Sequence, residues 1–399
     1  MAEKKYDDPT QVYDAEKCEE CGTCLSKCHY LKYTPERAKE EIRRLRAGER
    51  SEVMNRCIGC WSCDLYCPNG CRPYSLIRSR WMERYEKYGV PEKARYLMPH
   101  EFPNFRSEMR YTPEESALIE KIKTPPDSDT VLYTGCNTLV IADVLRSGIF
   151  DGLPAFGSLE YCCGEMYYRM GIFDTGRQAG EKLKKVFSKL KGRKVVFICA
   201  ACMNMVMNIY PREYGIDFGV EGQFITNWLE DRIDSGKLKI TNPLNKKVTI
   251  QDSCHAKMMD SEMYDSPRRL LKKIGAEVVE MKNTTTESHC CGIAGGCARY
   301  SIVDLARAGL GRLNDTRAPQ PDMTAAYCHG CLISLAIMRQ FERWTPPLYP
   351  LVQMVQLAAG EDPKLSLTAS RAMQTLVGIA RRSGPKMLSP KRFFMKPIE

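Results

Sequence analysis

The sequence has no uninterrupted apolar run of about 18 residues or more, so no segment is expected to cross a membrane as a helix. Its opening stretch, MAEKKYDDPTQVYD, has no apolar core of the secretory type. No strand-flanked GxGxxG pattern occurs. Gly292-Ile293-Ala294-Gly295-Gly296 has the glycines without the spacing, and reads as close backbone packing. No flavin or nicotinamide site is therefore expected in this chain. Positive charge is scarce in the body of the protein. The net charge is +10, but the segment from Lys364 to Glu399 holds eight basic residues against one acid and carries seven of those ten charges. The nearly balanced remainder argues against nucleic acid as a partner.

Cysteine, in contrast, is abundant: 20 in 399 residues. Incidental core packing does not need so many. A disulfide framework belongs to small secreted domains that cannot bury a core, and a chain of this length can bury a large one. The remaining reading is a reducing, cytoplasmic setting in which the cysteines bind metal.

The chain divides into an α-helical region (1–90), a Pro- and charge-rich linker (91–129), two α/β units (130–245 and 246–361) and a basic amphipathic tail (362–399). Thr34-Pro35-Glu36-Arg37 has the cap and first-turn signature of a helix running to about Arg46, and Pro73 opens another to about Tyr88. Four apolar runs, at Val131–Thr134, Val195–Ile198, Val248–Gln251 and Met323–Tyr327, read as buried strands that each lead into a cysteine. Alternation of such strands with helical patterns favours α/β architecture with parallel sheet. Matched cysteines recur at offsets of 118 (136 to 254), 128 (163 to 291) and 129 (199 to 328), which points to internal repetition. In the tail, Leu365–Arg382 is expected to be a helix with Leu367, Met373, Leu376, Val377 and Ala380 on one apolar face.

Cys18-x2-Cys21-x2-Cys24-x3-Cys28 and Cys57-x2-Cys60-x2-Cys63-x3-Cys67-Pro68 have the spacing that holds two 4Fe–4S cubanes in bacterial-type ferredoxins, the fourth cysteine of each run serving the other cluster. The assignment is Cys18, Cys21, Cys24 and Cys67 to one cubane, and Cys57, Cys60, Cys63 and Cys28 to the other. Structural zinc usually takes CxxC pairs rather than triplets. His29 stands where a proline is usual after Cys28.

Two sets of five follow: Cys136, Cys162-Cys163-Gly164 and Cys199-x2-Cys202; then Cys254, Cys290-Cys291-Gly292 and Cys328-x2-Cys331. Adjacent cysteines diverge too far to share one tetrahedral zinc easily, but they can bridge neighbouring irons. Over about residues 10–355 the chain resembles the doubled CCG domain of heterodisulfide reductase catalytic subunits, in the form with the ferredoxin-like part fused ahead. It also resembles iron–sulfur subunits of anaerobic glycerol-3-phosphate and glycolate dehydrogenases. The resemblance implies a duplicated α/β CCG domain preceded by a mainly helical, two-cluster ferredoxin-like domain. It further implies that each five-cysteine set holds a non-cubane 4Fe–4S cluster.

The resulting expectation is an oxidoreductase subunit reducing a disulfide, of the CoM-S-S-CoB type, by one-electron steps through two cubane and two non-cubane clusters. The ten CCG cysteines are then the reactive ligands. His255, His289 and His329, which adjoin them, are candidate proton donors or hydrogen-bond partners of cluster sulfur. Expected partners are an electron-donor protein, flavoprotein or membrane cytochrome b, and a disulfide or other thiol-derived substrate. Through its tail the chain can also touch the cytoplasmic face of a membrane. The alternative is a non-catalytic relay between a dehydrogenase and a membrane quinone or cytochrome pool. Cys71 and Cys297 are left over and read as structural thiols.

Overall fold

The computed structural model describes residues 5–294 and 301–398, so Cys297 and its neighbouring glycines, Gly295 and Gly296, lie outside the described residues. In the first region, Thr34 caps the helix Pro35–Ala47 by accepting the Arg37 amide, and Gly48 closes it in the left-handed conformation. Ala38, Ile42 and Leu45, spaced three and four apart, form its buried stripe. Glu41 shares that stripe, held by Arg37 and by the Ser51 hydroxyl. The helix Pro73–Tyr88 supplies Tyr74, Ile77, Trp81 and Tyr85 to the same core.

A short strand β1 (Val90–Pro91) follows. The next four strands are β2 (Thr130–Tyr133), β3 (Ala155–Phe156), β4 (Lys194–Phe197) and β5 (Glu221–Phe224), all parallel in the order β3-β2-β4-β5. A second parallel sheet contains β6 (Lys247–Gln251), β7 (Glu277–Val278), β8 (Met323–Ala326) and β9 (Leu348–Pro350), in the order β7-β6-β8-β9. Both orders read the same way in chain sequence. In each sheet the two inner strands run into cysteines: β2 into Cys136, β4 into Cys199, β6 into Cys254 and β8 into Cys328. The carboxyl ends of inner parallel strands are where an open α/β sheet presents its ligand groups.

Residues 91–129 depart from the expected linker. Tyr96, Leu97, Met98, Phe105 and Met109 are buried there. The Asn104 side chain takes the place of regular structure, donating to the Pro99 and Glu101 carbonyls and accepting the Arg106 and Ser107 amides. Prolines and charges give this stretch the composition of a connector, yet its backbone is tied down by one buried amide.

The tail also differs from its expected form. The helix Leu367–Arg382 buries Thr368, Arg371, Ala372, Thr375 and Gly378, while Met373 and Val377 are 40% and 58% exposed. The helix turns its small residues inward because they permit close approach: a Cβ on Gly378 would collide with the Tyr96 hydroxyl. Arg371 reaches buried Glu115, Arg381 and Arg382 pair with Glu108, Lys386 with Glu92, and Lys364 with Asp143. Most of the tail's positive charge is thus used within the chain. Its end adds β10 (Arg392–Phe393), antiparallel to β1. Among the described residues no helix is long and apolar enough to cross a membrane.

Candidate iron-sulfur centres

The cysteine runs of the first region fold so that residues distant in sequence become neighbours. Cys67, Cys18 and Cys21 are electrostatic neighbours of the Cys24 thiol. Cys63 has Cys57 and Cys60 beside it, and Cys28 has Cys60. Cysteines of the two runs, far apart in sequence, are thus neighbours in space, and Cys63 also has Cys24 of the other run beside it. Burial pushes the Cys28 thiol up to about 11. Cys71 is buried against Cys67, whose sulfur accepts its amide.

The ten remaining described cysteines are all buried. Cys136 and Cys162 lie 3.2 Å apart, and Cys163 contacts both Cys162 and Cys202. In the second set Cys254 contacts Cys290, and Cys291 contacts Cys290 and Cys331. The two sets meet, because Cys199 of the first touches Cys328 of the second. Hydrogen bonds from Cys162 and Cys202 hold Cys163 below the ordinary thiol range, and those from Cys290 and Cys331 do the same for Cys291. A lowered thiol favours the thiolate, which is the form that ligates iron.

The glycine after each cysteine pair is required by space and conformation. Gly164 and Gly292 have φ of +71° and +84°. A Cβ on Gly164 would fall 2.7 Å from the Tyr210 hydroxyl, and one on Gly292 2.7 Å from Ala308 Cβ. Both turns place the second cysteine of the pair against a helix with no room for a side chain.

A cavity beside the first set is lined by all five of its cysteines, with Pro99, Met166, Ile293 and Ala294 supplying an apolar wall. Arg106, Glu165 and Arg169 also line it, and an all-sulfur donor set facing such a cavity fits an iron–sulfur cluster, since soft thiolates select such groups. Among the described residues no group of Cys, His, Asp or Glu is arranged around a single metal ion. The sulfurs come together instead in larger sets.

The three histidines each have a place. His255 is 2% exposed; its Nε2 accepts from Arg169 at 2.8 Å and its Nδ1 lies 3.1 Å from the Asn204 amide. His329 Nδ1 is 2.7 Å from the Thr138 hydroxyl, so residues of the second α/β unit reach into the first. Burial lowers His329 to about 4. His289 Nδ1 lies 2.8 Å from Asp315, and its ring stacks on His29 at 4.2 Å. That stack connects the residue after Cys28 to the residue before Cys290. None of the three lines the cavity at the first set.

Sequence reading missed the residues that join the regions. Lys257 is buried and donates to the Ser62 hydroxyl at 2.7 Å and the Ser288 carbonyl at 2.8 Å. Arg106 donates to Asn137, next to Cys136. Arg169 packs on Trp61, between Cys60 and Cys63. A lone arginine or lysine carries no local signal of such a role.

Comparison with known proteins agrees with these features. A family described as a 4Fe-4S dicluster domain matches residues 17–72, and one described as a cysteine-rich (CCG) domain matches residues 152–207 and 248–336. The chain is 26% identical to a dihydromethanophenazine:CoB--CoM heterodisulfide reductase chain of Methanosarcina barkeri, covering 78% of this chain and 79% of that one. It is 28% identical to a fumarate reductase (CoM/CoB) chain of Methanothermobacter marburgensis over 72% of this chain and 61% of that one. It is 26% identical to the EtfAB:quinone oxidoreductase of Syntrophomonas wolfei over 56% of this chain and 34% of that one. The chain thus joins a match to a 4Fe-4S dicluster domain to matches to a cysteine-rich CCG domain, and iron–sulfur oxidoreductases, the heterodisulfide reductase chain of M. barkeri among them, are its homologues.

Proposed function

We propose that the chain is the iron–sulfur subunit of a multi-subunit oxidoreductase that reduces a disulfide, with two α/β CCG repeats arising by duplication. The observation that carries this reading is the contact of Cys199 with Cys328, which sets two buried five-thiol groups side by side. In this reading Cys18, Cys21, Cys24 and Cys67 hold one cubane, and Cys57, Cys60, Cys63 and Cys28 the other. Each five-cysteine set holds a non-cubane 4Fe–4S cluster. Bound clusters supply single electrons and iron sites for sulfur.

The reaction is R–S–S–R′ + 2e⁻ + 2H⁺ → RSH + R′SH. Two one-electron carriers in contact match its two electrons without releasing a thiyl radical. The apolar wall of Pro99, Met166, Ile293 and Ala294 keeps water from the first set. His255 and His329 hold the seam between the two halves rather than delivering protons, since each is engaged by partners inside the chain. A heterodisulfide of coenzymes M and B is the substrate class to which the names of the relatives lead, and the electron donor is a separate flavoprotein or cytochrome. We place the protein in the cytoplasm.

The test is anoxic purification with its native partners, an iron count and a disulfide-reduction assay. About sixteen irons per chain and turnover that Cys291→Ala abolishes are expected. Full turnover in Cys291→Ala would overturn the assignment. The relation to the EtfAB:quinone oxidoreductase favours a second reading, an electron relay to quinone. That reading predicts electron transfer to a soluble quinone with no thiol released from any disulfide.

A further inference from the structure

One guanidinium joins the ferredoxin-like region to both α/β units. Arg169 is 2% exposed, on the short helix Glu165–Met170 that follows the Cys162-Cys163-Gly164 turn. Its Nε donates to Glu165 at 2.7 Å, and its Nη1 donates to the carbonyl of Gly59, between Cys57 and Cys60. Its Nη2 donates to His255 Nε2 at 2.8 Å, and both terminal nitrogens lie within 3.5 Å of Cys254 Sγ. The guanidinium plane lies over Trp61, 3.6 Å from the ring centre. Trp61 itself has φ of +59°, a costly conformation for a bulky residue that persists only where its surroundings enforce it. Here Arg169 covers one face while Tyr74 and His255 make edge contacts.

The first site has a partial counterpart. Arg106 donates to Asn137, the residue after Cys136, as Arg169 donates to His255, the residue after Cys254. Arg106 also lies electrostatically beside Cys136 and Cys162, but its guanidinium donates to Asn137 and to the Leu97 carbonyl rather than to a sulfur. In sequence, the offset of 128 that relates Cys163 to Cys291 puts Ile293 opposite Glu165 and Cys297 opposite Arg169. The Glu165–Arg169 pair therefore has no sequence equivalent in the second unit. Both residues line the cavity at the first set, but the sulfur that Arg169 donates to is Cys254 of the second.

Accepting an electron makes an iron–sulfur site more negative, so a cation donating to its sulfurs raises its potential. The ferredoxin-like cysteines approach the same site, for Cys60 is an electrostatic neighbour of Cys290. We propose that Arg169 is a positioning residue that makes the second five-cysteine site the electron-receiving side of the pair, by orienting His255 and donating to Cys254 from a platform of Trp61 and Gly59. The proposal rests on the functional reading above, in that both sets hold clusters. Each transfer oxidises the Cys57–Cys60–Cys63–Cys28 group by one electron and reduces the second site by one. The separate electron donor restores the first.

The experiment uses the full chain, purified anoxically with its clusters, poised at fixed potentials with dithionite and read by electron paramagnetic resonance. Cys162→Ser and Cys290→Ser assign the two non-cubane signals. In Arg169→Met the reduced-to-oxidised ratio of the second-site signal is expected to fall at least tenfold at fixed poise, a shift of about 59 mV for one electron. The first-site ratio should fall clearly less, since Arg169 lines that cavity without donating to its sulfurs. Arg169→Lys keeps a cation but cannot fork between Cys254 and His255, and should fall about threefold. Unchanged second-site ratios in Arg169→Lys and Arg169→Met, or equal shifts at both sites, would overturn it. These readouts need no substrate. If the variants show the shift but wild-type protein reduces no disulfide, the functional reading alone is refuted, whereas about eight irons per wild-type chain refutes both.

Discussion

Replacing Arg371 by methionine tests whether the C-terminal helix is a structural member or a detachable arm. Arg371 is 4% exposed; its Nη2 pairs with Glu115, 1% exposed, and its Nη1 donates to the Arg110 carbonyl. Removing one partner of a buried pair costs about 3–5 kcal/mol, because the other charge stays in a dry site. Here the lower end applies. Glu115 also accepts the Thr112 amide in a capping box at the start of the helix Pro113–Lys121, so it retains one compensating donor. About 3 kcal/mol corresponds to a little over two decades in an opening equilibrium. A chain of several domains and clusters does not unfold in one reversible step, so local amide exchange is the appropriate assay. Exchange of the Leu367–Arg382 amides should accelerate about a hundredfold in Arg371→Met, and strands β2 and β4 should be unaffected. Adding Glu115→Gln should recover most of the loss, giving a coupling of about 1.5–3 kcal/mol. An acceleration below about fivefold in the single variant would show that the helix is only loosely docked, and would revive a tail free to bind elsewhere.

Three further outcomes are expected. Gly292→Ala forces a Cβ at a φ of +84° and 2.7 Å from Ala308, so iron per chain should fall by about four while the ferredoxin-like signals remain. His100 is lowered by burial from 6.5 to about 4 and lies 3.0 Å from the Tyr167 hydroxyl, so it stays neutral in the folded chain. A histidine so lowered weakens the fold as pH drops from 6.5 toward 4, by up to about 1.4 kcal/mol per unit. Amide protection around His100 and Tyr167, corrected for intrinsic exchange, should therefore fall less in His100→Gln than in the wild type between pH 6.5 and 5, and parallel curves would contradict this. Lys257→Met leaves the Ser62 hydroxyl and the Ser288 carbonyl without their buried donor, at a cost of about 1.5–3 kcal/mol. Faster proteolysis between the ferredoxin-like region and the second α/β unit would register it.

The elements legible in the sequence are those whose signal is local. The helix from Pro35 is visible in its Thr34 cap, and the inner strands in short apolar runs ending at cysteines. The buried face of the tail helix is not. Hydrophobicity points to Met373 and Val377, whereas contact is governed by the small Ala372, Thr375 and Gly378 and by the Arg371–Glu115 pair, which mean nothing without a partner surface. The 91–129 stretch misleads for a related reason, since a buried asparagine that organises a loop has the composition of an exposed one. The cysteines announce themselves by spacing. Arg169 and Lys257 do not, because their neighbours lie tens to hundreds of residues away.

The pairing of β1 with β10 has a consequence for biosynthesis. Arg392 reaches back to the Gly89 carbonyl across 303 positions of chain. At about 5–20 residues per second, a ribosome needs roughly 15–60 s to make that interval. All eighteen cysteines assigned to clusters emerge before the clasp does. From Cys331, the last of them, to Arg392 is 61 positions, so for roughly 3–12 s the nascent chain has all these cysteines while the β1–β10 pair is still open, and cluster-delivery machinery has that interval in which to reach them.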